Sequence, residues 1–95
     1  MKKLYVVRLG KFAEKQLKKI PKIIQETLQV WVESVELEGL PAVRRLPGYH
    51  DEPLRGDRQG ERSARLNRSY RVIYIEQEGG GLVVVAVQEV NKHVY

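Results

Sequence analysis

The stretch SARLNRSYRVIYIEQEGGGLVVVAVQEV, Ser63 to Val90, decides the fold. Tyr70 to Ile75 is rich in β-branched and aromatic residues, the composition of a strand. Ser63 to Leu66 reads as its antiparallel partner around the turn Asn67–Arg68–Ser69. With three residues in that turn, Arg65 lies directly across from Arg71 on one face of the sheet; with two, they fall on opposite faces. Gly79–Gly80–Gly81 makes the next turn. Leu82 to Val90 is almost unbroken apolar chain, the pattern of a central strand covered on both faces. Asn91 to Tyr95 reads as a short polar tail.

Upstream, Lys3 to Leu9 reads as another strand, with Tyr5, Val7 and Leu9 on one side and Leu4, Val6 and Arg8 on the other. Lys11 to Ile20 carries Phe12, Ala13, Gln16, Leu17 and Ile20 at helical spacing, and Pro21 breaks it. Ile24, Leu28, Trp31, Val32 and Val35 then form an amphipathic stripe, ended by Gly39 and Pro41. Trp31 sits on that stripe and is expected in the core, not as a platform for a base. From Pro41 to Arg62 the chain reads as irregular, and a loop that long in a small domain is usually functional or mobile. The order strand, helix, helix, three strands predicts an α+β domain over residues 1–95: an N-terminal strand and a two-helix hairpin on one face of a small, mainly antiparallel sheet. The other face would need separate cover where Ile73, Ile75 or the odd-numbered valines of the last strand emerge.

The chain has 95 residues, 42% hydrophobic and 31% charged, enough apolar content for one core and too much for a disordered chain. Cysteine is absent and there are two histidines, so disulfides and thiolate sites are excluded and a protein-built zinc site is not expected. The longest apolar run, Leu82 to Val87, is too short to span a bilayer, and no secretory signal is expected, because Arg8 breaks the apolar stretch Leu4 to Val7 that follows Lys2 and Lys3. A cytoplasmic protein with no membrane association, no metal and no cofactor is the expectation. Lysine and arginine number 17 against 12 acids, a net charge of +5. Seven of the eight lysines lie in the first 22 residues, whereas eight of the nine arginines lie between Arg44 and Arg71. With Asp51, Glu52, Asp57 and Glu61, that arginine block carries 8 − 4 = +4. Guanidinium is a planar fork suited to phosphate, so the block reads either as a solvated face or as a site for a polyanion, RNA first.

Three segments carry a family resemblance: Asp51–Glu52–Pro53–Leu54–Arg55; Ser63 to Tyr74, SARLNRSYRVIY; and the terminal His93–Val94–Tyr95. Together they resemble the RelE/ParE superfamily of bacterial toxin–antitoxin systems, closest to its YoeB and HigB-like branches, and the resemblance covers essentially the whole chain. It implies the toxin of a type II system: an endoribonuclease that cuts mRNA on the translating ribosome. Its partners would be a cognate antitoxin, mRNA and the ribosome, with operator DNA reached only through the antitoxin complex. Cleavage without a metal uses the ribose 2′-hydroxyl as nucleophile, and so needs a base, an acid and cations for the phosphate. By the resemblance, Glu52 would be the base, Arg71 would stabilise the phosphorane, His93 would be the acid and Tyr95 would orient or stack on a nucleotide. Arg55, Arg65 and Lys92 would bind RNA. The pattern departs from the YoeB-like one where Val94 separates His93 from Tyr95, which makes Lys92 a rival cation and His50 a rival acid. Read without the resemblance, Glu52 is a loop carboxylate that is exposed or paired with Arg55, and Arg71 is a strand arginine paired with Glu76 or Glu89. A ParE-like gyrase poison and a non-catalytic RNA-binding module are the competing functions.

Overall fold

The structure is a computed structural model and describes residues 3–92. Strand β1 (Leu4–Leu9) leads into helices α1 (Lys11–Leu17), α2 (Lys22–Glu38) and α3 (Leu40–Arg44). Strands β2 (Glu52–Pro53), β3 (Arg62–Arg65), β4 (Tyr70–Gly79) and β5 (Leu82–Lys92) follow, with single 3-10 turns at Pro47–Tyr49 and Gly56–Arg58. They form one five-stranded sheet in the order β1-β5-β4-β3-β2. β1 runs parallel to β5 and every other pairing is antiparallel. The α+β architecture is therefore the one the sequence predicts.

The helices cover one face. Ile24, Leu28, Trp31 and Val35 of α2 are buried, as the stripe requires, and Val32 packs half-buried against them. They meet Val72 and Tyr74 of β4 and Val83, Val85, Val87 and Val90 of β5 in one cluster. The Trp31 and Tyr74 rings lie 5.3 Å apart at 50°, a tilted arrangement that favours the edge of one ring against the face of the other.

Three expectations are corrected. α1 ends at Leu17, not Ile20, and Phe12 points away from the core at 59% exposure; only Ala13 of α1 is fully buried. Residues 41–62 are not irregular throughout: α3, two 3-10 turns and β2 occupy much of that span. α2 does end at Glu38 with Gly39 as its C-cap, as expected, and Pro41 sits in the first turn of the next helix, α3, where its missing N–H leaves no bond unmade. The odd-numbered valines of β5 are buried under the helices, and the opposite face carries Val84 and Ala86 beside Ile75.

A bulge explains that last reversal. Ile73 pairs with Glu89 but Tyr74 pairs with Val87, so Gln88 is the extra residue and the side-chain phase of β5 flips there. The flip turns the Val90 N–H toward α1, where Gln16 Oε1 accepts it at 2.7 Å. At the other end, β4 pairs as far as Gly79 with Leu82, so the turn is the two residues Gly80 and Gly81 (φ 59° and 81°). Two successive left-handed residues suit a tight hairpin that follows the strand twist. β5 extends to Lys92, so Asn91 and Lys92 belong to the sheet and not to a tail.

Candidate active site

Side chains alternate along each strand, so the register states which of them share the helix-free face. Glu52 pairs with Ser63, Ser63 with Ile73, and Ile73 with Glu89, which makes one row across β2, β3, β4 and β5. Two residues along, Arg65 pairs with Arg71 and Arg71 with Asn91. The three-residue turn is the one realised: Leu66 N–H donates to Tyr70 O, and Asn67 Oδ1 accepts from the backbone of Ser69 and Tyr70. That arrangement sets Arg65 directly opposite Arg71. Adjacent strands are about 4.8 Å apart and residues rise about 3.4 Å each. Glu52 and Arg71 are thus about 12 Å apart at Cα by the same spacings, within reach of a shared phosphate once an arginine and a glutamate side chain extend toward each other.

A pocket of about 50 Å³ forms over these rows, with His50, Glu52, Ser63, Arg65 and Arg71 in its wall. Glu52, Arg65 and Arg71 are therefore brought together. Arg55 is exposed at the entry to the second 3-10 turn and is outside the wall. Lys92 pairs with Tyr70, on the face opposite Arg71. His93 and Tyr95 lie outside the described residues.

The arginine block divides by partner. Arg44 pairs with Glu76 and lies 3.9 Å from Asp51; Arg58 bridges Glu61 and Glu89; Arg62 pairs with Asp51 at 2.7 Å. Both carboxylates that a structural Arg71 would use, Glu76 and Glu89, are thus engaged elsewhere. Glu61 is held below its ordinary carboxylate pKa chiefly by the hydrogen bond from Arg58. Among the described residues Glu52, Arg65 and Arg71 form no ion pair, with each other or with Arg55. The Arg71 Nε is moreover buried with no acceptor among the described residues. Two like charges facing each other across a ladder oppose folding, and a buried donor without an acceptor costs more. Such an arrangement is suited to an anion that supplies the missing acceptors.

Two features of the site were not legible in the sequence: the burial of Asp51, and the backbone conformation of His50, the rival acid. Asp51 has a side chain only 1% exposed and accepts from Tyr74 Oη at 2.5 Å and Arg62 Nε at 2.7 Å. Burial, then the hydrogen bond to Asp51, pushes the Tyr74 phenol up to about 12. Burial alone would lower the Arg62 pKa, but the Asp51 hydrogen bond and charge leave it raised. His50 has φ 47°, the only left-handed non-glycine residue among those described, and such strain concentrates at functional sites.

No protein-family model and no curated protein matches the chain. Solved structures do. YafQ from E. coli superposes with a TM-score of 0.73 at 17% identity, covering 90% of each chain. A YoeB/ParE toxin from Agrobacterium tumefaciens gives 0.69 at 17% identity, over 94% of this chain and 99% of that one. The toxin of the archaeal RelE–RelB complex from Pyrococcus horikoshii gives 0.66 at 24% identity, over 93% of each. Strand, helices and sheet register together give this chain the fold of the RelE/ParE superfamily toxins.

Proposed function

We propose that the chain is the toxin of a type II toxin–antitoxin system and an endoribonuclease that cleaves mRNA, on the translating ribosome, by attack of the ribose 2′-hydroxyl. One observation carries the reading: a carboxylate, Glu52, and two facing arginines, Arg65 and Arg71, none of them in an ion pair among the described residues, share one pocket on the helix-free face. In this mechanism Glu52 takes the 2′-hydroxyl proton. Arg71 donates to the phosphate as charge grows on it, and Arg65 positions the same group. His93 protonates the leaving 5′-oxygen and Tyr95 orients the nucleotide; these two assignments rest on the family resemblance. Arg55 and Lys92 serve as flanking contacts to RNA outside the pocket.

The partner is a cognate antitoxin, through which the pair reaches operator DNA, and the setting is the cytoplasm. Structures of similar fold include complexes of toxin with antitoxin. The helix-free face here offers apolar surface for such cover: Leu4 is 70% exposed, with Val6 and Leu82 exposed and Val84 and Ala86 half-buried nearby. No helix is long and apolar enough to cross a membrane among the described residues.

The test is cleavage of a defined mRNA by the purified protein on translating ribosomes. Glu52→Gln is expected to lose about 10²–10⁴-fold in rate, the contribution of a positioned base. Arg71→Ala is expected to lose about 10²–10³-fold, that of a preorganised charge donor. Ribosome binding should survive both. An unmutated protein that leaves mRNA intact and inhibits DNA gyrase would replace this reading with the gyrase one.

A further inference from the structure

The segment His50–Asp51–Glu52 places two pocket residues on either side of one that faces the other way. β2 is only two residues long and sits at the edge of the sheet, so its own ladder holds it weakly. What fixes it is Asp51. Its carboxylate accepts from Arg62 Nε of β3 at 2.7 Å and from Tyr74 Oη of β4 at 2.5 Å. Arg44 Nε of α3 stands 3.9 Å away and itself donates to Tyr74 Oη at 3.3 Å. Tyr74 is anchored in turn against Trp31 in the core. A buried carboxylate with these partners is ordered by two hydrogen bonds, from β3 and β4, and by the nearby charge of Arg44 on α3.

We infer that Asp51 is a positioning residue for the cleavage site. It fixes His50 in its left-handed conformation and holds the Glu52 carboxylate at the right distance from Arg65 and Arg71. The inference rests on the endoribonuclease reading above and adds to it a residue that never touches RNA. Asp51 acts through Glu52, because it immediately precedes that residue at the start of β2 and its carboxylate is turned to Arg62 and Tyr74 while Glu52 lines the pocket. A shift of β2 by about 1 Å moves the base off the 2′-hydroxyl, and misplacement of that size is enough to cost orders of magnitude in rate.

The experiment compares the unmutated protein with Asp51→Asn, Tyr74→Phe, Glu52→Gln and the double variant Asp51→Asn/Glu52→Gln, all below their melting temperatures. Asn keeps the size of Asp51 but sets an amide N–H₂ against the Tyr74 or Arg62 donor. The expected result is a kcat lower by about tenfold or more with KM changed by less than about threefold. Tyr74→Phe, which leaves both arginines in place, should give a smaller loss of the same kind; it decides the matter if Asp51→Asn does not fold. Because both residues act on one proton transfer, the double variant should be no slower than Glu52→Gln alone. A kcat within about twofold of the unmutated protein in both Asp51→Asn and Tyr74→Phe overturns the inference. So does a loss that multiplies with that of Glu52→Gln, since that is what a merely structural residue gives. Failure of the unmutated protein to cleave RNA is read in the control and removes the endoribonuclease reading itself.

Discussion

Replacing Arg65 by glutamine should stabilise the free protein while weakening its hold on RNA. Arg65 is exposed, so the substitution removes little packing. Its nearest charge is Arg71, one strand away and directly opposite, at about 5 Å between Cα positions. Glu52 is one strand away on the other side but two residues along, about 8 Å by the same spacings. In a water-like dielectric the repulsion is about 0.8 kcal/mol and the attraction about 0.5, so repulsion wins by about 0.3 kcal/mol. The net rises toward about 1 kcal/mol as solvent is excluded, the range measured for cross-strand pairs. For a chain of this length that is a melting temperature higher by about 1–4 °C at low ionic strength.

The assay is thermal unfolding of both proteins in about 10 mM and about 1 M salt, where the screening length falls from about 30 Å to about 3 Å. The gain should disappear at high salt. In parallel, a single-stranded RNA is titrated over the same salts. Loss of one phosphate contact lowers the slope of log affinity against log salt by about 0.7. A lower melting temperature for Arg65→Gln at low salt would show that Arg65 is a structural residue with a partner. An unchanged salt slope would show that it does not meet phosphate. Either result removes the argument that the facing pair is kept for an anion.

Glu52→Gln removes the one carboxylate that lines the pocket among the described residues, so it should bind uncleaved RNA about three- to tenfold more tightly at low salt while cleaving it far more slowly; equilibrium binding beside single-turnover cleavage checks both. Tyr74 has a folded pKa pushed up to about 12 from an ordinary value of 10, so the unfolded chain loses that proton first. Its contribution is whole below pH 10 and is lost as pH rises toward 12, by about 2–3 kcal/mol, and the difference between unmutated protein and Tyr74→Phe in urea unfolding isolates it from the lysines. Gly39 lies at φ 89° and ψ 150°, and a Cβ there would stand 3.0 Å from the Tyr5 ring; Gly39→Ala should cost about 1–3 kcal/mol, read as a melting temperature lower by about 5–15 °C.

Periodicity carried the parts of the fold in which each residue's environment follows from its neighbours. Ile24, Leu28, Trp31 and Val35 are buried because a 3.6-residue repeat puts them on one side, whatever they meet there. Arg65 faces Arg71 because turn length alone fixes hairpin register. The misreadings have non-local causes. Gln88 as a bulge leaves no mark in a run of valines, yet it decides which valines are buried. Phe12 fits the helical repeat as well as Ala13 does, yet in the seven-residue α1 Ala13 is buried and Phe12 is left in solvent. Asp51 reads as one more loop acid because its partners come from α3, β3 and β4, the furthest of them Tyr74, 23 residues on.

The pocket's charge follows from the same long-range pairings. Composition sees eight arginines in one block, but Arg44, Arg58 and Arg62 are engaged with Asp51, Glu61, Glu76 and Glu89 within the protein. Arg68 also lines the pocket and has a partner of its own, and the three lining groups that form no ion pair among the described residues, Arg65, Arg71 and Glu52, together carry 2 − 1 = +1. A phosphodiester brings −1, so the proposed ground state is balanced and RNA need not be held tightly. In the proposed mechanism Glu52 becomes neutral on taking the 2′-hydroxyl proton, so these three groups rise to +2 at the step where the phosphorane rises to −2. Complementarity is then greater in the transition state than in the bound substrate, which is the condition for binding energy to accelerate the reaction. Had Glu52 been paired with Arg55, or Arg71 with Glu89, proton transfer would instead have broken an existing ion pair, and the charge gained at the phosphate would have been lost beside it.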